Sequence, residues 1–90
     1  MAKAHVDPVE LRRFARDLNR FNTELQTLMA GLHTRLVGLE KTWRDQEQNR
    51  FTEEFEQTMK TLTRFIKSSE RHVAFLVKKA SHIEDYLQQR

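Results

Sequence analysis

Leu11, Phe14, Leu18, Phe21, Leu25, Leu28 and Leu32 follow one another at steps that alternate three and four without a miss. That alternation writes one apolar stripe along an α-helix that packs against another helix. A strand repeats every second residue, so the same stretch cannot be read as sheet. The next apolar positions are Leu36, Leu39 and Trp43. The step from Leu32 to Leu36 is four where three was due, which predicts a stutter that locally unwinds a supercoil. Met29 and Leu36 sit beside the stripe and widen it, giving this helix room for more than one neighbour. Gly31 and Gly38 lie one heptad apart, and each costs about 1 kcal/mol inside a helix. They read either as tolerated flexibility or as a thin spot against which another helix packs closely.

The helix has a clear start. In Asp7-Pro8-Val9-Glu10 the aspartate can cap free amides, proline suits the first helical position, and Glu10 can reach back to complete a capping box. Met1 to His5 are expected to fray. After Trp43 the apolar pattern stops. Arg44 to Asn49 contains no apolar residue, which suits an exposed connection, and Asp45 with Gln48 can cap a second helix. The connection has no glycine, so a kinked, nearly continuous corner is a second possibility.

Phe51, Phe55, Met59, Leu62, Ile66, Val73, Leu76, Ala80, Ile83 and Leu87 mark a second helix. From Met59 onward the heptad holds, with Ser69 its one polar member. Phe65, His72, Lys79 and Tyr86 form a neighbouring stripe at sevenfold spacing, while Phe75 and Val77 fall outside the seam. Gln88 to Arg90 are expected to fray. The expected fold is therefore all-α: a single domain over residues 1–90, an antiparallel two-helix hairpin with a helix over about 8–43, a bend at about 44–49 and a helix over about 50–87. Helices of that length span about 50 to 60 Å at 1.5 Å per residue.

Two helices bury little surface, and here each apolar stripe is wider than one partner covers. Met29, Leu36, Phe65, Phe75, Val77 and Tyr86 are the expected partner or dimer surface, and pairing of two hairpins into a four-helix bundle is the natural remedy. A homodimer and a heterodimer with a related hairpin satisfy the same surfaces. Phe75, which shares a stripe with Ser68 and His82, is the best single candidate for a partner contact.

The composition narrows the chemistry. Charged residues make up 32% and apolar ones 38% of 90 residues, too apolar and too periodic for disorder. The net charge of +3 is mild and spread over both halves, which argues against a dedicated nucleic-acid surface. Arg12, Arg13, Arg16 and Arg20 make a basic patch, but Asp17 and Glu24 flank it. There is no cysteine, hence no disulfide framework and no thiol chemistry. No apolar run approaches the roughly 20 residues of a membrane span, and no ordinary cleaved signal peptide is expected at the N-terminus. Di-iron bundles use a Glu-x-x-His pair, yet the residues three before His5, His33, His72 and His82 are Ala2, Ala30, Ser69 and Lys79. Ser68, Ser69 and Ser81 all lie inside a helix, with no glycine-rich phosphate loop. Glu53, Glu54 and Glu56 suit a helix N-terminus through its dipole. No catalytic residue, metal ligand or cofactor is expected, and the chain is not expected to be an enzyme.

Trp43-Arg44-Asp45 near the midpoint, with Phe51 eight residues later, resembles the bend motif of the WXG (Trp-X-Gly) family of small type VII secretion substrates, similar to the early secreted antigenic target proteins. The resemblance covers nearly the whole chain in length, pattern and midpoint tryptophan. It departs in two places. Asp45 stands where the family has glycine, and Tyr86 is followed four residues later by Arg90 where the family's export signal has an acidic residue. The resemblance implies a hairpin that pairs with itself or a sister hairpin, export without a cleaved signal peptide, and a membrane-bound type VII ATPase as partner. It makes Trp43, Asp45 and Phe51 the bend motif. A buried Trp43 predicts a loss of about 3–5 kcal/mol on Trp43→Ala. The residues by themselves also allow a cytosolic helical adaptor or structural bundle that pairs with an unrelated helix through Phe65, Phe75 and Val77.

Overall fold

A computed structural model describes residues 6–89. The expected fraying of Met1 to His5 and of Arg90 lies outside the described residues. The chain forms two helices, α1 (Pro8–Leu39) and α2 (Gln46–Gln88), and no strand occurs among the described residues. They run antiparallel as a rod of 68 × 24 × 16 Å. Arg12 meets Glu84 at the open end, Phe21 meets Phe65 further along, and Glu40 meets Thr52 beside the bend.

The start of α1 follows its residues. Asp7 is extended, at φ −86° and ψ 115°, and its side chain accepts from the Val9 amide at 2.9 Å. Pro8 occupies the first turn, where it has no amide to waste. Glu10 does not complete the capping box. Its carboxylate bonds to Arg13 at 2.8 Å instead.

The end of α1 differs from the expected position near residue 43. The helix stops at Leu39, and the Leu39 carbonyl then accepts from the amides of Thr42 and Trp43 at 3.1 and 3.0 Å. A tightened turn thus carries the chain to Trp43. Likewise α2 begins at Gln46 rather than near 50, because the Asp45 carboxylate caps the Gln48 amide at 2.9 Å. The corner is a real break between two capped helices, and no residue among those described needs a positive φ to make it.

The seam between the helices also differs from the stripe read in α1. Phe14, Phe21 and Leu28 are 57%, 49% and 66% exposed. Ala15, Asn22 and Leu36 are buried in their place, with Leu11, Leu18, Leu25 and Met29 half-buried between them. From Leu11 to Met29 this set also alternates four and three, and Leu36 follows one heptad after Met29 with no stutter. On α2 the facing set is Gln48, Thr52, Phe55, Met59, Leu62, Ile66, Ser69, Val73, Leu76 and Ala80, each buried or half-buried. Ala15 and Ala80, at 2% and 0% exposure, let the backbones approach closely. The bulky phenylalanines are then pushed to the flank. No carbon added at Gly31 or Gly38 would meet a neighbour within 4 Å, so neither glycine marks a close approach within the hairpin.

The two flanks of the seam are unlike. One carries Phe14, Phe21 and Leu28 from α1 and Phe51 and Phe65 from α2. The other carries Arg12, Arg16 and Asn19 against Val73 and Val77, with Glu84 closing it. The buried apolar core between them is thin: Ala15, Leu36, Ile66 and Ala80.

Candidate functional site

Two features stand out, the bend and the apolar flank that runs up to it. At the bend, Trp43 is half-buried. Its ring lies 5.7 Å from that of Phe51, tilted by 38°, and Phe51 stacks on Phe55 at 5.7 Å and 23°. Such offset pairs add about 0.5–1.5 kcal/mol beyond burial alone. The ladder brings two bend-motif residues, Trp43 and Phe51, into contact. The third, Asp45, caps α2.

A polar clasp that the sequence reading missed lies beneath the ladder. Gln48 is 7% exposed. Its Nε2 donates to Glu40 Oε2 at 3.0 Å and to Thr52 Oγ1 at 2.7 Å, and Thr52 Oγ1 donates to the same Glu40 oxygen at 2.9 Å. A carboxylate has lone pairs for several donors, so the end of α1 is held to the first turns of α2 through one oxygen. Gln48 reaches across the bend to Glu40 rather than back toward its own cap.

The sequence-predicted partner surface is split. Phe65 and Phe75, at 46% and 63% exposure, lie on the apolar flank, and the Phe65 ring packs edge-on against Phe21 at 6.2 Å and 86°. Phe75 also borders the groove that continues along α2 to His82 and Tyr86, the latter 71% exposed. Three of the expected surface residues lie elsewhere in the hairpin. Leu36 is 6% exposed, inside the hairpin, because its position belongs to the seam. Met29 is half-buried for the same reason. Val77 is 38% exposed but lies on the polar flank beside Arg12 and Arg16, away from Phe65 and Phe75. Phe14, Phe21, Leu28 and Leu32 take their place as exposed apolar residues, joined at the bend by Leu39 and Phe51. The signal for this was the composition of the flanks: Arg12 and Asn19 mark the wet one.

The basic patch of α1 is largely neutralised. Arg12 pairs with Glu84, Arg13 with Glu10 and Arg20 with Asp17, at 2.7, 2.8 and 3.9 Å. Hydrogen bonds from Arg12 hold the Glu84 carboxyl below its usual range, and the same bonds raise the Arg12 guanidinium further. Among the described residues, no group of three or more histidines and carboxylates is placed to hold a metal ion. No helix among them is long and apolar enough to cross a membrane.

The family model WXG100, described as "Proteins of 100 residues with WXG", matches residues 3–86. The crystal structure of the secreted protein ESXB from Bacillus anthracis str. Sterne is similar over 96% of this chain and 98% of its own, at 26% identity and a TM-score of 0.81. A glycine-to-alanine mutant of ESXB from the same strain is similar over 94% and 98%, at 26% identity and a TM-score of 0.80. No curated protein matches the chain. The tripeptide Trp43-Arg44-Asp45 falls inside the matched span, with aspartate at the place of the motif glycine.

Proposed function

The chain belongs to the WXG100 family, and from that premise we propose that it is a non-enzymatic type VII secretion substrate, an effector or chaperone that acts through helical surfaces. Its partner is a second hairpin, either another copy or a related chain, docked on the apolar flank of Phe14, Phe21, Leu28 and Phe65. The observation that carries this reading is that flank. A thin core is bordered by a row of large apolar side chains, Phe14, Phe21, Leu28 and Phe65, each about half in water, an arrangement that a soluble monomer rarely keeps. Covering it with a like flank completes a four-helix bundle.

The likeness to a secreted ESXB protein supports export of this chain. Export would proceed without a cleaved signal peptide and would depend on a membrane-bound type VII ATPase that reads the Trp43–Phe51 bend. Asp45 preserves the bend by capping α2, so loss of the motif glycine does not remove the feature to be read.

Two measurements test the proposal separately. Light scattering coupled to size exclusion over a dilution series should give a mass near twice 10.8 kDa, or a monomer that forms a stable complex with a related hairpin. Export should be followed in cells with and without the type VII ATPase. A chain that stays monomeric with every related hairpin tried overturns the pairing. Release that is equal in both cell types overturns the export reading.

A further inference from the structure

Among the described residues, three buried side-chain atoms have no hydrogen-bond partner: Asn22 Nδ2, Asn22 Oδ1 and Ser69 Oγ. Both residues are 2% exposed. Both lie in the seam, Asn22 between Leu18 and Leu25 and Ser69 between Ile66 and Val73. The flank contacts show which residues face each other. Arg12 against Glu84 on one side and Phe21 against Phe65 on the other bracket a midline on which Asn22 stands opposite Ser69. The seam therefore contains one polar layer between apolar ones.

Buried amides and hydroxyls in folded proteins are nearly always paired, and an unpaired one loses its hydration with nothing in return. The exposed threonines of this chain show one local escape. Thr23, Thr58 and Thr63 each donate to the carbonyl four residues before, at 3.1, 3.2 and 2.9 Å. Ser69 does not make that bond. The interior backbone of each helix is already committed to its own ladder. The three atoms must then be satisfied by each other and by solvent drawn into the layer.

We propose that Asn22 and Ser69 enclose one internal water, and that this hydrated layer fixes the register of the hairpin. One water closes the set. An Asn22 N–H donates to the water, the water donates to Ser69 Oγ, and the freely turning Ser69 hydroxyl donates to Asn22 Oδ1. The apolar groove between Phe14 and Phe65 runs up to Ser69 and provides the way in. A slip of one heptad in either direction would put Asn22 against Leu62 or Leu76, and Ser69 against Ala15 or Met29. Neither slipped seam offers the amide or the hydroxyl a partner, so the polar layer penalises both slips, as a buried asparagine does in coiled coils.

The test begins with the unaltered protein. A high-resolution crystal structure should show one ordered water within hydrogen-bond distance of both side chains. Register is then read by disulfide trapping, since the chain has no cysteine of its own. Gln26→Cys with Glu70→Cys reports the native register, and Gln26→Cys with Thr63→Cys or Val77→Cys reports slips of one heptad. In an Asn22→Leu, Ser69→Ala background the slipped pairs should trap about tenfold more than in the parent. A direct Asn22–Ser69 bond with no water, or slipped trapping unchanged in that background, overturns the proposal. The crystallographic arm does not depend on how the variant folds.

Discussion

Arg12 grips Glu84 with two parallel hydrogen bonds, Nε to Oε2 at 2.9 Å and Nη2 to Oε1 at 2.7 Å, across the open end of the hairpin. A third bond runs from Nη2 to Ser81 Oγ at 2.9 Å. The tie therefore joins the start of α1 to the last turns of α2, where no loop connects them. Hydrogen bonding to Arg12 lowers the Glu84 carboxyl in the folded state, against an opposing effect of desolvation. A group lowered on folding contributes stability above its unfolded value and loses it as pH falls through the folded one. Thermal midpoints should thus drop on acidification through the carboxylate range, and drop less in a Glu84→Gln variant. Both side chains are about a third exposed, so added salt should shrink the difference. Parallel pH curves for parent and variant would refute this account of the tie.

The tryptophan ladder makes a second prediction. Trp43 is half-buried rather than enclosed, so Trp43→Ala should cost about 1–2 kcal/mol, less than a fully buried ring would. Its coupling to Phe51, at 5.7 Å, should emerge from a double-mutant cycle with Phe51→Ala as about 0.5–1.5 kcal/mol. Urea unfolding monitored by circular dichroism supplies all four corners. Strict additivity would mean that the rings touch without stabilising each other.

The hairpin itself was legible from the chain because helical periodicity and caps are local. Asp7-Pro8 marks one helix start, Asp45 caps the other, and the α2 seam from Met59 through Ser69 to Ala80 follows the heptad as read. The flank that faces inward on α1 was not legible. Leu11, Leu18 and Leu25 belong to two interleaved patterns, one completed by Phe14, Phe21 and Leu28, the other by Ala15, Asn22 and Met29. Ranking residues by hydrophobicity selects the first. The folded hairpin takes the second, because small residues at Ala15 and Ala80 allow close approach and the larger rings can wait at the edge. That choice depends on the partner helix, which is not written in the local spacing. The Glu40–Gln48–Thr52 clasp was hidden for a similar reason: it exists only once the bend brings the two helices together.

Asp45 allows the altered motif to be tested directly. Its carboxylate accepts from the Gln48 amide at 2.9 Å, with the residue extended at φ −98°. Asp45→Ala should cost about 1 kcal/mol, whereas Asp45→Gly, which restores the family residue, should cost only a few tenths of a kcal/mol. Chemical denaturation ranks the three proteins. If glycine proves as damaging as alanine, the cap is not what makes aspartate acceptable at this position.

Phe21 supplies the sharpest test of the apolar flank. It is 49% exposed and packs edge-on against Phe65 at 6.2 Å. In an isolated hairpin, a glutamate at this position can reach water from the edge. The helical content of Phe21→Glu should therefore stay near that of the parent. Against a second hairpin the same carboxylate would be buried among phenylalanines and lose its hydration. Self-association, or association with a related hairpin, should weaken by about 30-fold or more, the scale of a central interface residue. Val77→Glu is the control. Val77 is 38% exposed on the polar flank, next to Arg12 and Arg16, where a new carboxylate has cations at hand and association should hold. Sedimentation equilibrium on both variants separates the flanks. If Val77→Glu dissociates the assembly and Phe21→Glu does not, the second hairpin docks on the polar side.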